Sequence, residues 1–139
     1  MVDRTLIASK LADLADRIAR VRQHRTSTSS ELASHRDAAD LVAFNLMLAV
    51  QICAGIASHL ISDEGWPAAK TLGEAFTRLE EQQVISAPVA VALRNAVGLR
   101  NLVAHGYAGV DPALLHAAAT RGIDDLNAFA QAIAAWSLR

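Results

Sequence analysis

Arg100, His105 and Tyr107 close an apolar, helix-forming run as Arg-Asn-Leu-Val-Ala-His-Gly-Tyr, and no other stretch of the chain combines as much chemistry. A guanidinium grips oxyanions through paired N–H groups, an imidazole moves protons near neutral pH, and a phenol accepts a covalent group. On a helical wheel of about 100° per residue, Val89, Leu93, Ala96, Val97, Val103 and Ala104 gather on one arc, with Arg100 near its centre. A permanent cation stands where a leucine would be expected. Withdrawing a guanidinium from water without compensation costs on the order of several kcal/mol, so Arg100 needs an anion. A fixed carboxylate is one answer, with Asp37 and Asp40 at the start of the preceding long helix as candidates. A phosphodiester entering a cleft that one chain leaves unpacked is the other. The two are compatible if an aspartate aims the arginine toward substrate.

His105 lies five residues on, which turns it about 140° from Arg100 in a straight helix. Cooperation at one atom then requires either that the helix end near Gly106 or that a second copy supply facing residues across a two-fold axis. A histidine here also reads as a helix-terminating residue, because imidazole interacts well with the last unpaired carbonyls. Asn101, four residues before His105, could orient the imidazole, contact a ligand or make an ordinary interhelical hydrogen bond. Tyr107 falls just past the predicted helix end, either reachable by a modifying group or packed against the corner.

The elements that must position these groups are helical. Ile7, Leu11, Leu14, Ile18 and Val21 alternate four- and three-residue steps, which gives the first helix one apolar seam. Thr26 to Ser30 is polar and reads as a loop, with Thr28 and Glu31 spaced as a capping box. A long second helix is expected from about Ser34 to Ile61. Thr71 and Glu74 form another capping box opening a short helix to about Gln82. Ser86 and Pro88 start the helix that carries Arg100, and Gly106 suits its left-handed end. Asp111-Pro112 restarts the chain into a last helix marked by Leu115, Ala119, Gly122, Leu126, Phe129, Ile133 and Trp136. No strand, repeat or linker is read. The expectation is an all-α, up-and-down bundle of about five helices, one domain over residues 1–139.

Composition narrows the function. With 139 residues, 53% of them hydrophobic, three prolines and seven glycines, the chain can bury a core without disulfide or metal staples. Its single cysteine, Cys53, excludes an internal disulfide and reads as a small buried apolar residue. The five histidines are dispersed and no Cys-x2-Cys or His-x3-His pair exists, so no metal site is expected; no phosphate-binding glycine loop and hence no cofactor is read either. A net charge of −1 argues against a broad basic surface, so any nucleic-acid site must be local. Arg17, Arg20, Arg22 and Arg25, with His24 among them, are the densest positive stretch. That stretch reads either as an RNA-facing patch or as a solvated helix end that complements the dipole.

Leu41 to Ile61 carries no formal charge over 21 residues, long enough to span a membrane. Asn45, Gln51, Ser58 and His59 interrupt it and no aromatic or cationic anchors flank it, so a central bundle helix is the expectation. Asn45 and His59 share one stripe of that helix, as a cleft wall or as buried polar contacts between protomers. Arg94 is a further polar candidate. The amphipathic, charged N-terminal stretch lacks the apolar region of a signal peptide, and a cytoplasmic protein without membrane attachment is expected.

RNLVAHGY matches the Arg-x4-His-x-Tyr pattern of the HepT toxins in the HEPN superfamily of helical ribonucleases, and the resemblance extends upstream. Asp40 to Ser62 is similar to that family's long second helix, with its Asn-Leu, Ala-Val-Gln and Ala-x-His-Leu-Ile; Thr71 to Ser86 resembles the short third helix. The likeness covers roughly residues 35 to 138, with the segments in order. It implies a two-fold symmetric homodimer and a metal-independent endoribonuclease toxin, with Arg100 and His105 catalytic and Asn101 and Asp37 supporting. It also implies silencing by a nucleotidyltransferase antitoxin of the MNT type, which adds AMP to Tyr107. The alternative from another class is a non-catalytic helical module that keeps the motif to dock a nucleotidyltransferase or a nucleotide.

Overall fold

The computed structural model describes residues 2–106 and 109–139, and among these every regular element is a helix. The six are α1 (Arg4–His24), α2 (Ser29–Ser34), α3 (Arg36–Glu64), α4 (Leu72–Glu81), α5 (Ala87–Ala104) and α6 (Pro112–Ser137). Their starts follow from side-chain oxygens that satisfy the first free N–H groups: Asp3, Thr28, Thr71, Ser86 and Asp111 each accept from a backbone N–H two or three residues on. At the other end of α3, Gly65 adopts φ 68°, where a Cβ would be strained.

One expectation changes at α2. The Thr28 cap does form, with its hydroxyl accepting from Glu31 N–H at 3.1 Å, but the helix it opens lasts only six residues. The polar segment that reads as a loop is therefore half helix, and the long helix begins separately at Arg36. His35, in a non-helical conformation, separates the two.

α3 is the axis of the molecule and packs against all five other helices. Eleven of its residues are buried, from Val42 to Ile61, which accounts for its uncharged composition. By length and composition α3 is apolar enough to cross a membrane, but half of its most apolar window lies inside the protein. Ile7, Leu14, Ile18 and Val21 place the seam of α1 in the same core. Phe76 of α4 meets Phe129 of α6 edge to face, with ring centroids 5.7 Å apart, and Trp66 meets Trp136 in the same way at 5.8 Å.

The buried Asn45 is resolved within one chain. Its amide donates to the Leu41 carbonyl at 2.8 Å, and its side-chain oxygen accepts from Arg17 Nη1 at 3.1 Å. Asn45 thus fastens α1 to α3 and is neither a cleft wall nor a contact between protomers. Arg17 is correspondingly engaged inside the bundle and is withdrawn from the basic stretch.

α5 behaves differently from its neighbours. Only Ala90 and Leu93 are buried along its 18 residues, although its sequence is as apolar as that of a core helix. Val91 is 48% exposed, and Leu114 on the facing α6 is 46% exposed. The surface between these helices is where the chain leaves apolar area uncovered.

Candidate active site

That surface is a groove of about 350 Å³ between α3, α5 and α6. Leu46, Met47 and Val50 form its floor, Val91, Ala96, Leu99 and Val103 one wall, and Leu114, Ala117, Ala118 and Gly122 the other. Three charged side chains reach it: Arg100 from α5, and Arg121 and Asp125 from α6. An apolar trough with few charged groups holds those charges in a poorly screened setting, where each interacts strongly with whatever enters.

Arg100 is half-buried, as its place on the helical wheel requires. Its Nη1 donates to the side-chain oxygen of Asn101 at 3.0 Å, while its Nε is sealed from water with no hydrogen-bond partner. A buried donor left unsatisfied costs about 1–3 kcal/mol. Among the described residues no carboxylate lies within ion-pair distance of this guanidinium. Asp37 and Asp40, both exposed at the start of α3, make no hydrogen bond or ion pair with it. The fixed-carboxylate answer is absent there, and the arginine is held instead by a neutral amide that leaves its charge uncompensated.

His105 terminates α5. Its backbone N–H bonds the Asn101 carbonyl at 3.1 Å, and Gly106, at φ 61°, donates to the Val103 carbonyl at 3.2 Å. The chain therefore leaves the helix at the histidine, which is one of the two arrangements that the wheel required. The imidazole is exposed at the helix end. Asn101 links the two groups along the chain: its side chain steadies Arg100 and its carbonyl anchors the turn bearing His105. Tyr107 lies outside the described residues.

Other sequence candidates have structural roles. Arg94 bonds Thr77 Oγ1 at 3.1 Å and lies 3.5 Å from Glu80, which ties α5 to α4. His59 Nε2 stands 3.0 Å from Asp63 Oδ2, at ion-pair distance but off the line of a hydrogen bond. Among the described residues no three His, Cys, Asp or Glu side chains converge where a metal ion could be held. Arg121 escaped the sequence reading. Its signal was available, because Leu114, Ala117, Ala118 and Gly122 form a small-residue stripe at helical spacing and Arg121 interrupts it, just as Arg100 interrupts its own apolar arc.

The fold is that of a solved HEPN toxin. It belongs to the Ribonuclease HepT-like family, whose model matches residues 14–133. The mRNA nuclease HepT of Shewanella oneidensis is 25% identical over 130 residues, which span 94% of this chain and 97% of that protein. A tri-AMPylated HEPN toxin from the same organism, solved in complex with an MNT antitoxin, superposes with a TM-score of 0.87 at 25% identity, over 97% of this chain and 99% of that one. A toxin–antitoxin structure solved with AMP-PNP has the same fold, with a TM-score of 0.88 at 23% identity, over 95% and 99% of the two chains.

Cys53 lies on a buried face of α3, and burial pushes its thiol pKa far up, so the thiolate does not form near neutral pH. A disulfide thiol reagent at about pH 8 is expected to leave the native chain unlabelled and to label one thiol per chain in denaturant. Native labelling at the rate of a free thiol would contradict the packing of α3.

Proposed function

We propose that this chain is the toxin of a toxin–antitoxin pair, a metal-independent endoribonuclease whose site is assembled from two copies. The carrying observation is Arg100: a guanidinium without a carboxylate partner, fixed by Asn101 in an apolar groove, within the Arg-x4-His motif. The family and the nuclease relative support RNA as the substrate, and a cytoplasmic setting follows from that substrate.

The chemistry asks little of the protein. A base takes the proton of a ribose 2′-hydroxyl, the 2′-oxygen bonds to phosphorus, and the 5′-oxygen leaves with a proton from an acid. The products are a 2′,3′-cyclic phosphate and a 5′-hydroxyl. Arg100 holds the non-bridging oxygens as their charge grows, through the guanidinium N–H groups that reach the groove. His105 moves the proton, and its counterpart in a second copy provides the complementary acid or base. The under-buried α5, with Val91 and Leu114 exposed along the groove, supports that pairing: a two-fold contact would cover this surface and bring the two helix ends together. Asp37, exposed on α3, is proposed to act only once the second copy is in place.

Tyr107 is proposed as the residue that an MNT-type nucleotidyltransferase antitoxin silences by adding AMP. Its spacing from Arg100 and His105 matches the motif, and the tri-AMPylated relative shows that such a modification occurs on this fold. The added phosphates and nucleoside compete for the position that an RNA phosphate occupies.

Arg100→Ala and His105→Ala are each expected to lower RNA cleavage by at least about 100-fold without unfolding the chain, as read by gel assay and circular dichroism. Cleavage at wild-type rate in both would remove Arg100 and His105 from the site, and a wild-type chain that cleaves no RNA but binds the nucleotidyltransferase would leave the docking-module interpretation. Leu114→Glu, a charge placed on the exposed groove wall, is expected to shift sedimentation from dimer to monomer and to abolish cleavage. A wild-type chain that cleaves RNA as a monomer would remove the two-copy site. Incubation with the cognate nucleotidyltransferase and ATP is expected to add mass in whole AMP steps, and Tyr107→Phe to prevent it; unchanged modification of that variant would move the acceptor elsewhere.

A further inference from the structure

A second basic site adjoins the groove. Arg22 at the end of α1 and Arg25 just beyond it face Thr120, Arg121 and Asp124 of α6 across a polar hollow of about 530 Å³, closed by the Thr26–Ser27 turn. Arg121 lines both this hollow and the groove that holds Arg100. The two are therefore neighbours that share one cation.

The charges in the hollow are not neutralised. Among the described residues none of Arg22, Arg25 and Arg121 has a carboxylate within ion-pair distance, although Asp124 lies on the rim. Arg25 is aimed by a hydrogen bond from Nη1 to the Ala119 carbonyl at 3.0 Å, which fixes its plane and leaves its charge free. The turn beside it is held in turn by His116 Nε2 against the Thr26 carbonyl at 3.2 Å. In a chain of net charge −1, three convergent, unpaired guanidiniums with hydroxyl groups around them form a local anion site, and solvation of a helix end does not account for the contribution from α6. The hollow is polar, as expected of a surface that holds backbone phosphate.

We propose that Arg22, Arg25 and Arg121 form a backbone-phosphate subsite for the RNA strand whose scissile phosphate sits at Arg100. This rests on the nuclease reading and extends it, because it sets the direction in which the strand leaves the groove: past Arg121, toward the end of α1. Arg22 and Arg25 are then positioning residues for a longer substrate, whereas Arg100 touches the reacting group.

The test uses the full-length chain and a labelled single-stranded RNA with 2′-O-methyl groups, which binds but cannot supply the attacking hydroxyl. Affinity is measured by anisotropy over about 50–200 mM salt. Replacing two phosphate contacts, in the pair Arg22→Ala with Arg25→Ala, is expected to lower the slope of log affinity against log salt by about 1.4, at roughly 0.7 per single-strand phosphate contact. With cleavable RNA the same pair is expected to raise KM by at least about 10-fold with a much smaller change in kcat, and Arg22→Lys with Arg25→Lys to recover most of the binding. An unchanged salt slope and KM, in a wild-type chain that cleaves RNA through Arg100, would overturn the subsite and leave the nuclease reading intact. A wild-type chain that neither binds nor cleaves RNA would overturn both. Unaltered RNA affinity together with a lost complex with the antitoxin would assign the arginines to a protein interface and overturn the subsite.

Discussion

Among the described residues the Arg100 guanidinium meets a neutral amide and no carboxylate, in an apolar groove whose walls are built around that charge. A carboxylate within ion-pair distance would stabilise the resting chain and compete with any incoming phosphate. Asn101 constrains the guanidinium without neutralising it, and because the two residues are adjacent on α5 the pair moves as a unit. The buried Nε, with no acceptor among the described residues, is what that arrangement costs.

Stability is supplied elsewhere. α3 contributes eleven buried residues and touches every other helix, α1 is locked to it by the Arg17–Asn45 contact, and aromatic pairs tie α4 and the α3 end to α6. α5 packs on α3, α4 and α6 through one face and leaves the other largely unburied. An apolar helix of this kind, left open along a groove with a cation in it, combines association and chemistry on one surface. His105 stands where α5 ends, so the position of the imidazole follows from the turn at Gly106 and not from the phase of the helix.

Electrostatics also explains how a chain with a slight negative charge can handle a polyanion. Its acids and bases nearly balance in number, but Arg22, Arg25, Arg100 and Arg121, which have no carboxylate at ion-pair distance among the described residues, gather along the groove and the hollow beside it. Steering by such a local set of charges needs no global basicity.

Local chemistry was legible in the linear order of residues. The capping signals at Thr71, Ser86 and Asp111, the seam of α1, the uncharged run of α3 and the cation in the apolar arc of α5 depend on neighbours within a few positions, where helical geometry alone decides who meets whom. What required the tertiary structure were the partners that come from afar. Arg17 and Asn45 are 28 residues apart and look like two unrelated polar residues until α1 lies on α3. Arg94 reads as a site candidate until Glu80 and Thr77 are brought beside it. Arg121 gains meaning only when α6 is laid against both α5 and the end of α1, and the short α2 is set apart from the helix that follows by the non-helical His35. Periodicity determines which face of a helix is apolar; only packing determines which other face it meets, and therefore which charges end without a counter-charge.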